Sequence, residues 1–302
     1  MLHNFGSINL DHVYQVPHLV RPGETLASHD YQVGLGGKGA NQSLAVALAG
    51  GEVSHWGRLG RQDAWARDIL ARAGVNVTFT DLVDAPSGHA IIQVDERGEN
   101  AILLFPGANH GFTATHIEAL LDACAPGDWI LAQNECSALP ELLARAHQAE
   151  ASLAFNPAPM SDAVAELPLA RCDLLFVNRG EAAWLAGIAE TASVEQLLSA
   201  LHARLPGTAT VLTLGSEGAW YQRGATRHYQ PAPAVEAVDT TGAGDTFIGY
   251  FLARLQAGDA IPRCLEVATT AAALSVLRPG AAGSIPARDA VERALRDGLT
   301  GA

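Results

Sequence analysis

The chain has 302 residues, 48% of them hydrophobic and 17% charged, with a formal net charge of −13. That describes a globular protein with a sizeable core, of a length that large α/β units reach. The excess of acids leaves no basic surface for nucleic acid or an anionic membrane, and an anionic substrate would need local amide dipoles, a few cations and a metal. Four cysteines lie far apart without a CxxC pair and read as reduced thiols. No signal-peptide pattern opens the sequence, and no apolar run approaches the ~20 residues of a membrane span. The expectation is a soluble, cytoplasmic protein.

In chain order, residues 2–8 read as a first strand followed by Asn9 and Asp11, and 12–33 as irregular with Pro17, Pro22 and Gly23. Gly39 to Ala49 is a small-residue helix, Val53–Leu59 a strand, and Asp63–Ala73 an amphipathic helix. His89–Val94 and Ala101–Phe105 are β-rich runs around Asp95-Glu96-Arg97-Gly98-Glu99-Asn100, a hairpin signal. With Tyr31–Val33 they predict a small sheet apart from the main body. From about 113 the pattern alternates. Apolar strands at Trp129–Gln133, Ser152–Asn156, Leu174–Asn178 and Val211–Leu214 are separated by helical stretches at 138–149, 161–166, 179–187 and 193–204. A hairpin at 220–230 and helices at 242–257, 261–277 and 287–298 complete the chain.

Nearly continuous apolar strands alternating with helices predict a parallel sheet covered on both faces. The expected architecture is a three-layer α/β/α body, one domain over 1–302, with a mostly parallel central sheet. A small β-sheet lid would come from about 12–33 and 87–106. Ligands in such sheets bind beyond the carboxyl ends of the strands, where Asn9, Asp11, Asn134, Glu135, Asn156, Asn178 and Gly215-Ser216 gather.

The most telling stretch is Asp239-Thr240-Thr241-Gly242-Ala243-Gly244-Asp245-Thr246-Phe247. A helix that begins Gly-Ala-Gly-Asp carries two residues costing about 1 kcal/mol each against alanine. Without side chains, first-turn N–H groups can approach an anion closely. Asp245 beside that anion suits a base that takes a hydroxyl proton during phosphoryl transfer; the plainer alternative is a carboxylate complementing the helix dipole. A second run, Gly36-Gly37-Lys38-Gly39-Ala40-Asn41-Gln42, holds Lys38, the one lysine among 19 basic residues. A solvated loop charge is its plain reading.

Other motifs fail. Gly34-x-Gly36-x-x-Gly39 lacks the later acid and βαβ setting of a dinucleotide fingerprint, and Lys38 is followed by Gly39, unlike a Walker A loop. No protein-kinase set, clustered His/Cys zinc site or GxSxG elbow is present.

The two glycine-rich signatures, in this order, resemble those of the ribokinase family, the PfkB-type sugar kinases, and the resemblance runs from Gly6-Ser7-Ile8-Asn9-Leu10-Asp11 to Gly280. It implies an ATP-dependent sugar kinase, with D-ribose the first expectation as acceptor. Deoxyribose, another sugar or a nucleoside is the alternative, and a non-catalytic sugar- or nucleotide-binding regulator a further one. By the resemblance, Asp245 is the base and the amides of Gly242, Ala243 and Gly244 form an anion hole. Asn9, Asp11, Gly37, Lys38, Gly39, Asn41 and Glu135 meet the sugar. Asn178 and Glu181 resemble the family's NxxE pair, with Glu181 reaching Mg²⁺ through water; a turn residue and an ordinary first-turn acid are their plain readings. Thr213, Gly215, Ser216 and Gly218, with Gly244, match the nucleotide site. Asp239, Thr241, Ser275, Arg278, Gly280 and Ser284 match a K⁺ site built mostly of backbone carbonyls. Asn178-Arg179-Gly180-Glu181 keeps only the outer residues of a more acidic run. The resemblance also implies a homodimer formed through the lid.

Overall fold

The structure is a computed structural model that describes residues 1–299. The chain begins with β1 (Leu2–Phe5), β2 (Asn9–Val16), β3 (Asp30–Gly36), α1 (Lys38–Leu48), β4 (Val53–Gly60), α2 (Ala64–Arg72) and β5 (Thr80–Val83). It continues with β6 (Gly88–Asp95), β7 (Asn100–Phe105), α3 (Ala114–Ala123), β8 (Trp129–Gln133), α4 (Leu139–Arg145), β9 (Ser152–Asn156) and β10 (Leu174–Asn178). Then follow α5 (Arg179–Ala186), α6 (Val194–Arg204), β11 (Ala209–Thr213), β12 (Ala219–Arg223) and β13 (Thr226–Gln230). Three helices end it: α7 (Ala243–Gln256), α8 (Ile261–Ser275) and α9 (Arg288–Asp297).

Nine strands form the main sheet in the order β13-β12-β11-β10-β9-β8-β1-β4-β5. From β5 to β11 every pair is parallel, and the β12–β13 hairpin closes one edge antiparallel. Successive strand residues face opposite sides, and each side has its own core. Leu174 and Phe176 of β10 pack with α1, α2, α7, α8 and α9; Leu175 and Val177 pack with α3, α4, α5 and α6. The expected three-layer body and mostly parallel sheet are therefore present.

The smaller sheet has the order β3-β2-β6-β7, with β2 and β6 parallel and the outer pairs antiparallel. It includes a strand that sequence reading treats as irregular. Asn9–Val16 alternates poorly in polarity and is held by pairing with Gly88–Asp95 on one side and Asp30–Gly36 on the other. Both partners are distant in the chain, so local pattern does not report them. Asn9 and Asp11 thus lie on the small sheet's second strand rather than at the end of the first. β5 and α3 are also absent from the sequence-based element list. β5 is short, and the turn opening α3 is closed by His116, whose Nδ1 accepts the Thr113 N–H at 3.1 Å, in place of the usual acid. The expected helical stretch at 161–166 is a 3₁₀ turn, Asp162–Glu166.

Helices α1 and α7 pack unusually close. A Cβ at Gly249 would lie 2.3 Å from Ala45 Cβ and 2.8 Å from the Gln42 carbonyl, so only glycine permits this approach. The contact brings the polar residues of α1 to the first turn of α7.

Candidate active site

α7 begins at Gly242, which takes a left-handed conformation (φ 74°) that a glycine adopts without strain. A Cβ there would also sit 3.0 Å from Ala281 Cα, so the 278–284 segment packs against the helix N-terminus. Asp239 ties that segment down: its Oδ2 accepts the Gly280 N–H at 2.8 Å, and its Oδ1 accepts the Thr241 N–H and hydroxyl at 2.9 and 2.6 Å. These three hydrogen bonds hold the Asp239 carboxyl below its ordinary value against the opposing effect of burial. The loops carrying Asp239, Thr241 and Gly280 therefore meet at one point. The Ser275 and Ser284 hydroxyls, both buried, turn back to the carbonyls of Ala272 and Ala281. Ala243 departs from its expected anion-hole role, because its N–H is engaged by the Thr240 carbonyl at 3.2 Å in the turn that closes the N-cap.

Asp245 is 7% exposed. Its two oxygens are held from α1: Asn41 Nδ2 donates to Oδ2 at 3.1 Å, and Gln42 Nε2 donates to Oδ1 at 2.8 Å. A cavity of about 240 Å³ opens over this carboxylate, with Lys38, Asn178, Glu181, Gly242 and Gly244 among its walls. A second, mostly apolar cavity of about 740 Å³ adjoins it. Thr213, Asn178, Thr240 and Gly244 line both, so the N-terminus of α7 stands where the two meet. Gly215, Ser216 and Gly218 line the larger one, together with Ala243, Phe247 and the 232–237 loop.

The expected sugar residues cluster around Glu135. This acid accepts the Lys38 N–H at 3.0 Å and the Ser7 hydroxyl, while Ser7 Oγ also accepts the Gly39 N–H at 3.2 Å. Gly37 is the N-cap of α1, with φ 89°. Asn9, Asp11, Asn41 and Glu135 are not among the walls of the 240 Å³ cavity; Glu135 and Asn41 connect to it through Lys38 and Asp245.

The electrostatics follow from burial. Asp11 is pushed up to about 6, by desolvation first and then by the neighbouring Glu135 charge. Burial likewise raises the Glu135 and Glu181 carboxyls. Burial pulls Lys38 down, but Asp245, Glu135 and Glu181 together outweigh it and hold the ammonium above its ordinary value. The one lysine is thus a fixed positive charge among acids.

Asn178 and Glu181 form a reciprocal cap at the start of α5: Asn178 Oδ1 accepts the Glu181 N–H and Glu181 Oε2 accepts the Asn178 N–H, each at 2.9 Å. Both face the smaller cavity, so capping and a site role coexist.

Sequence reading missed Gln42, Asn109, Thr240 and the apolar wall of the larger cavity, whereas Asn156, expected at the strand edge, does line the smaller one. Gln42 carried a usable signal, a polar side chain on the small-residue helix directly after Asn41. Asn134 lies at the expected strand edge but turns to Pro159 O and Ser161 Oγ.

A polar pocket with a fixed base and cation, joined to an apolar pocket across a glycine-rich helix N-terminus, defines a phosphoryl-transfer enzyme of the α/β class. Residues 1–288 match the pfkB family of carbohydrate kinases, and the chain belongs to that family. It is similar to the ribokinase of Haemophilus influenzae, 35% identical over 291 residues covering 94% of both chains. The ribokinase of Schizosaccharomyces pombe is 35% identical over 298 residues, covering 93% of each. Among solved structures, the Arabidopsis thaliana ribokinase complexed with ribose and ATP aligns with TM-score 0.85 and 29% identity over 98% of each chain. A nucleoside kinase of Burkholderia thailandensis aligns at TM-score 0.82 and 20% identity over 99% of each chain, a likeness of fold alone. The protein is a carbohydrate kinase.

Proposed function

We propose that this kinase transfers the γ-phosphoryl group of ATP to O5 of D-ribose, giving ribose 5-phosphate and ADP. The observation that carries the reading is the junction of the two cavities at Gly244, with Asp245 on the polar side. The acceptor reading is supported by the ribokinase relatives at 35% identity. The sugar would lie among Asn9, Asp11, Asn41, Glu135 and the Gly37–Gly39 turn. Paired donors and acceptors suit hydroxyls that each donate and accept. The nucleotide would occupy the apolar cavity beside Thr213, Gly215, Ser216 and Gly218.

Asp245 takes the O5 proton as the O5–phosphorus bond forms and the bond to the ADP oxygen breaks. The free amides at the α7 N-terminus, Gly242 and Gly244 foremost, and the Lys38 ammonium face the charge on the transferring group. The small sheet would close over the sugar and exclude water, limiting loss of ATP to hydrolysis.

Mg²⁺ would accompany the nucleotide and offset the phosphate charge. Glu181 fits a water-mediated role, since its Oε2 is engaged by the Asn178 N–H and the carboxylate still lines the cavity. K⁺ would sit where the Asp239–Thr241 and 278–284 loops converge on Gly242, among Thr241, Ser275, Arg278, Gly280 and Ser284. Carbonyl-rich loops tied by Asp239 fit a monovalent ion. No helix among the described residues is long and apolar enough to cross a membrane. It would act as a homodimer paired through the small sheet, whose β7 is exposed along its whole length.

An ADP-release assay with MgATP and KCl against ribose, deoxyribose, fructose and adenosine tests the reading. Turnover with ribose is the expected result, and preference for another acceptor overturns the choice of sugar. Asp245→Asn should lower kcat by about 10²–10⁴-fold with little change in sugar affinity. Near-normal turnover in that variant removes Asp245 from the mechanism.

A further inference from the structure

Asp245 Oδ1 is held by Gln42, and Gln42 is itself held by residues that touch neither cavity's reacting groups. Gln42, Gln133, Asn4, Ser43 and His55 are all fully buried. Asn4 Nδ2 donates to the Gly39 carbonyl at 2.8 Å. A backbone carbonyl accepts only, so this bond fixes which end of the Asn4 amide is nitrogen. Asn4 Oδ1 must then accept, and it does so from Gln133 Nε2 at 2.9 Å. The other Gln133 amide hydrogen reaches Gln42 Oε1 at 2.8 Å. With its oxygen engaged, Gln42 can present only its NH₂ to Asp245.

A second anchor agrees. Asn156 Nδ2 donates to the Phe176 carbonyl at 3.1 Å, which leaves Asn156 Oδ1 to accept the remaining Gln42 hydrogen at 3.3 Å. At the far end Asn4 also donates to Ser43 Oγ at 2.8 Å, and Ser43 Oγ lies in hydrogen-bond contact with His55 Nδ1 at 2.8 Å. Burial pushes the His55 imidazole down to about 4, which keeps it neutral. Two backbone carbonyls, those of Gly39 on α1 and Phe176 on β10, therefore set the direction of the amide hydrogen bonds that lead to Gln42.

We propose that Gln133, acting through Gln42, is a positioning residue for the catalytic carboxylate: the relay Gly39 carbonyl–Asn4–Gln133–Gln42 holds Asp245 Oδ1 in its reactive orientation. The inference rests on the reading of Asp245 as the base. Losing the relay leaves Gln42 oriented only by the longer bond to Asn156 at 3.3 Å, so its hold on Asp245 loosens, and a misplaced catalytic group forfeits rate more than binding. Gln133 is a structural residue of β8 on any other account, and would then affect folding alone.

The test is a double-mutant cycle on kcat with Gln133→Met, Gln42→Met and the pair, alongside Asp245→Asn and thermal unfolding of each variant. Gln133→Met should lower kcat about 10- to 100-fold, with KM for ribose and for ATP each within about twofold of wild type, the scatter expected of uncoupled sites. The double variant should match Gln42→Met in kcat, because Gln42 is the residue hydrogen-bonded to both Gln133 and Asp245. Multiplying losses in the double variant overturn the relay. So does a wild-type kcat in Gln133→Met with only a lowered unfolding temperature. Should Gln133→Met fail to fold, Gln133→Asn, which keeps the amide but withdraws it by one methylene, is read on the same criteria. An active Asp245→Asn defeats the underlying assignment of the base; an inactive Asp245→Asn beside an unaffected Gln42→Met defeats the relay alone.

Discussion

Asn109 donates an amide hydrogen to Asn9 Oδ1 across 2.8 Å, and this bond decides which end of Asn9 is free. Asn109 is fixed by Ile8, whose N–H it accepts at 3.0 Å and whose carbonyl it meets at 3.2 Å. Asn9 must then present its NH₂ group as a donor. Replacing Asn109 by leucine removes that constraint without touching Asp245. KM for ribose should rise about tenfold, the worth of one buried hydrogen bond, while kcat stays near wild type. Steady-state kinetics with ribose varied at saturating ATP check this; a loss confined to kcat would contradict it.

Asp11 predicts a pH dependence with a definite sign. Its folded-state value of about 6 lies above the ordinary 3.8, so stability is fully present below about 3.8 and is lost as pH rises through about 6. Asp11→Asn should therefore unfold at a higher temperature than wild type above pH 6 and at the same temperature near pH 3.5. The charged carboxylate that costs stability is the one expected to accept sugar hydroxyls. In wild type, kcat/KM for ribose should fall as pH drops below about 6, by up to about tenfold per unit. The variant should be poor at every pH and lack that step. Scanning calorimetry and pH-rate profiles read the two effects separately.

Gly249→Ala tests the close approach of α1 and α7. The added methyl would meet Ala45 Cβ at 2.3 Å and must push the helices apart. Overpacking of this kind costs about 1–3 kcal/mol, measurable by urea unfolding. The same shift withdraws Asn41 and Gln42 from Asp245, so kcat should fall beyond what the lost stability explains. Full activity in the folded variant would show that Asp245 does not depend on α1.

The small sheet predicts an assembly. Leu103 is 68% exposed and Ile102 59%, on an edge strand whose other backbone side is unpaired among the described residues. Exposed apolar edges of this kind invite pairing. Leu103→Glu should convert a dimer to a monomer in sedimentation velocity and raise KM for ribose, because a lone lid is less well supported. A wild-type protein that sediments as a monomer removes the lid pairing.

Local pattern was enough to read the strands of the parallel core other than β5, since most of them bury both faces along an apolar run of five or so residues. It was also enough to single out Asp245, because paired glycines opening a helix before an acid conflict with helix propensity and call for another reason. Asn9, Asp11, Lys38 and Glu135 stood out by position or composition, but their expected roles at the sugar came from the resemblance of whole motifs. Tertiary structure alone decided the rest. Asn9–Val16 is a strand only because Gly88–Asp95 and Asp30–Gly36 pair with it. Ala243 loses its free amide to a turn closed by Thr240. The roles of Gln42, Gln133 and Asn109 depend on which amide end faces which backbone carbonyl. That is a matter of hydrogen-bond direction between residues up to 203 positions apart, as Gln42 and Asp245 are. A side chain's chemistry is written in the sequence, but the direction of a buried amide is set by the partners that folding brings to it.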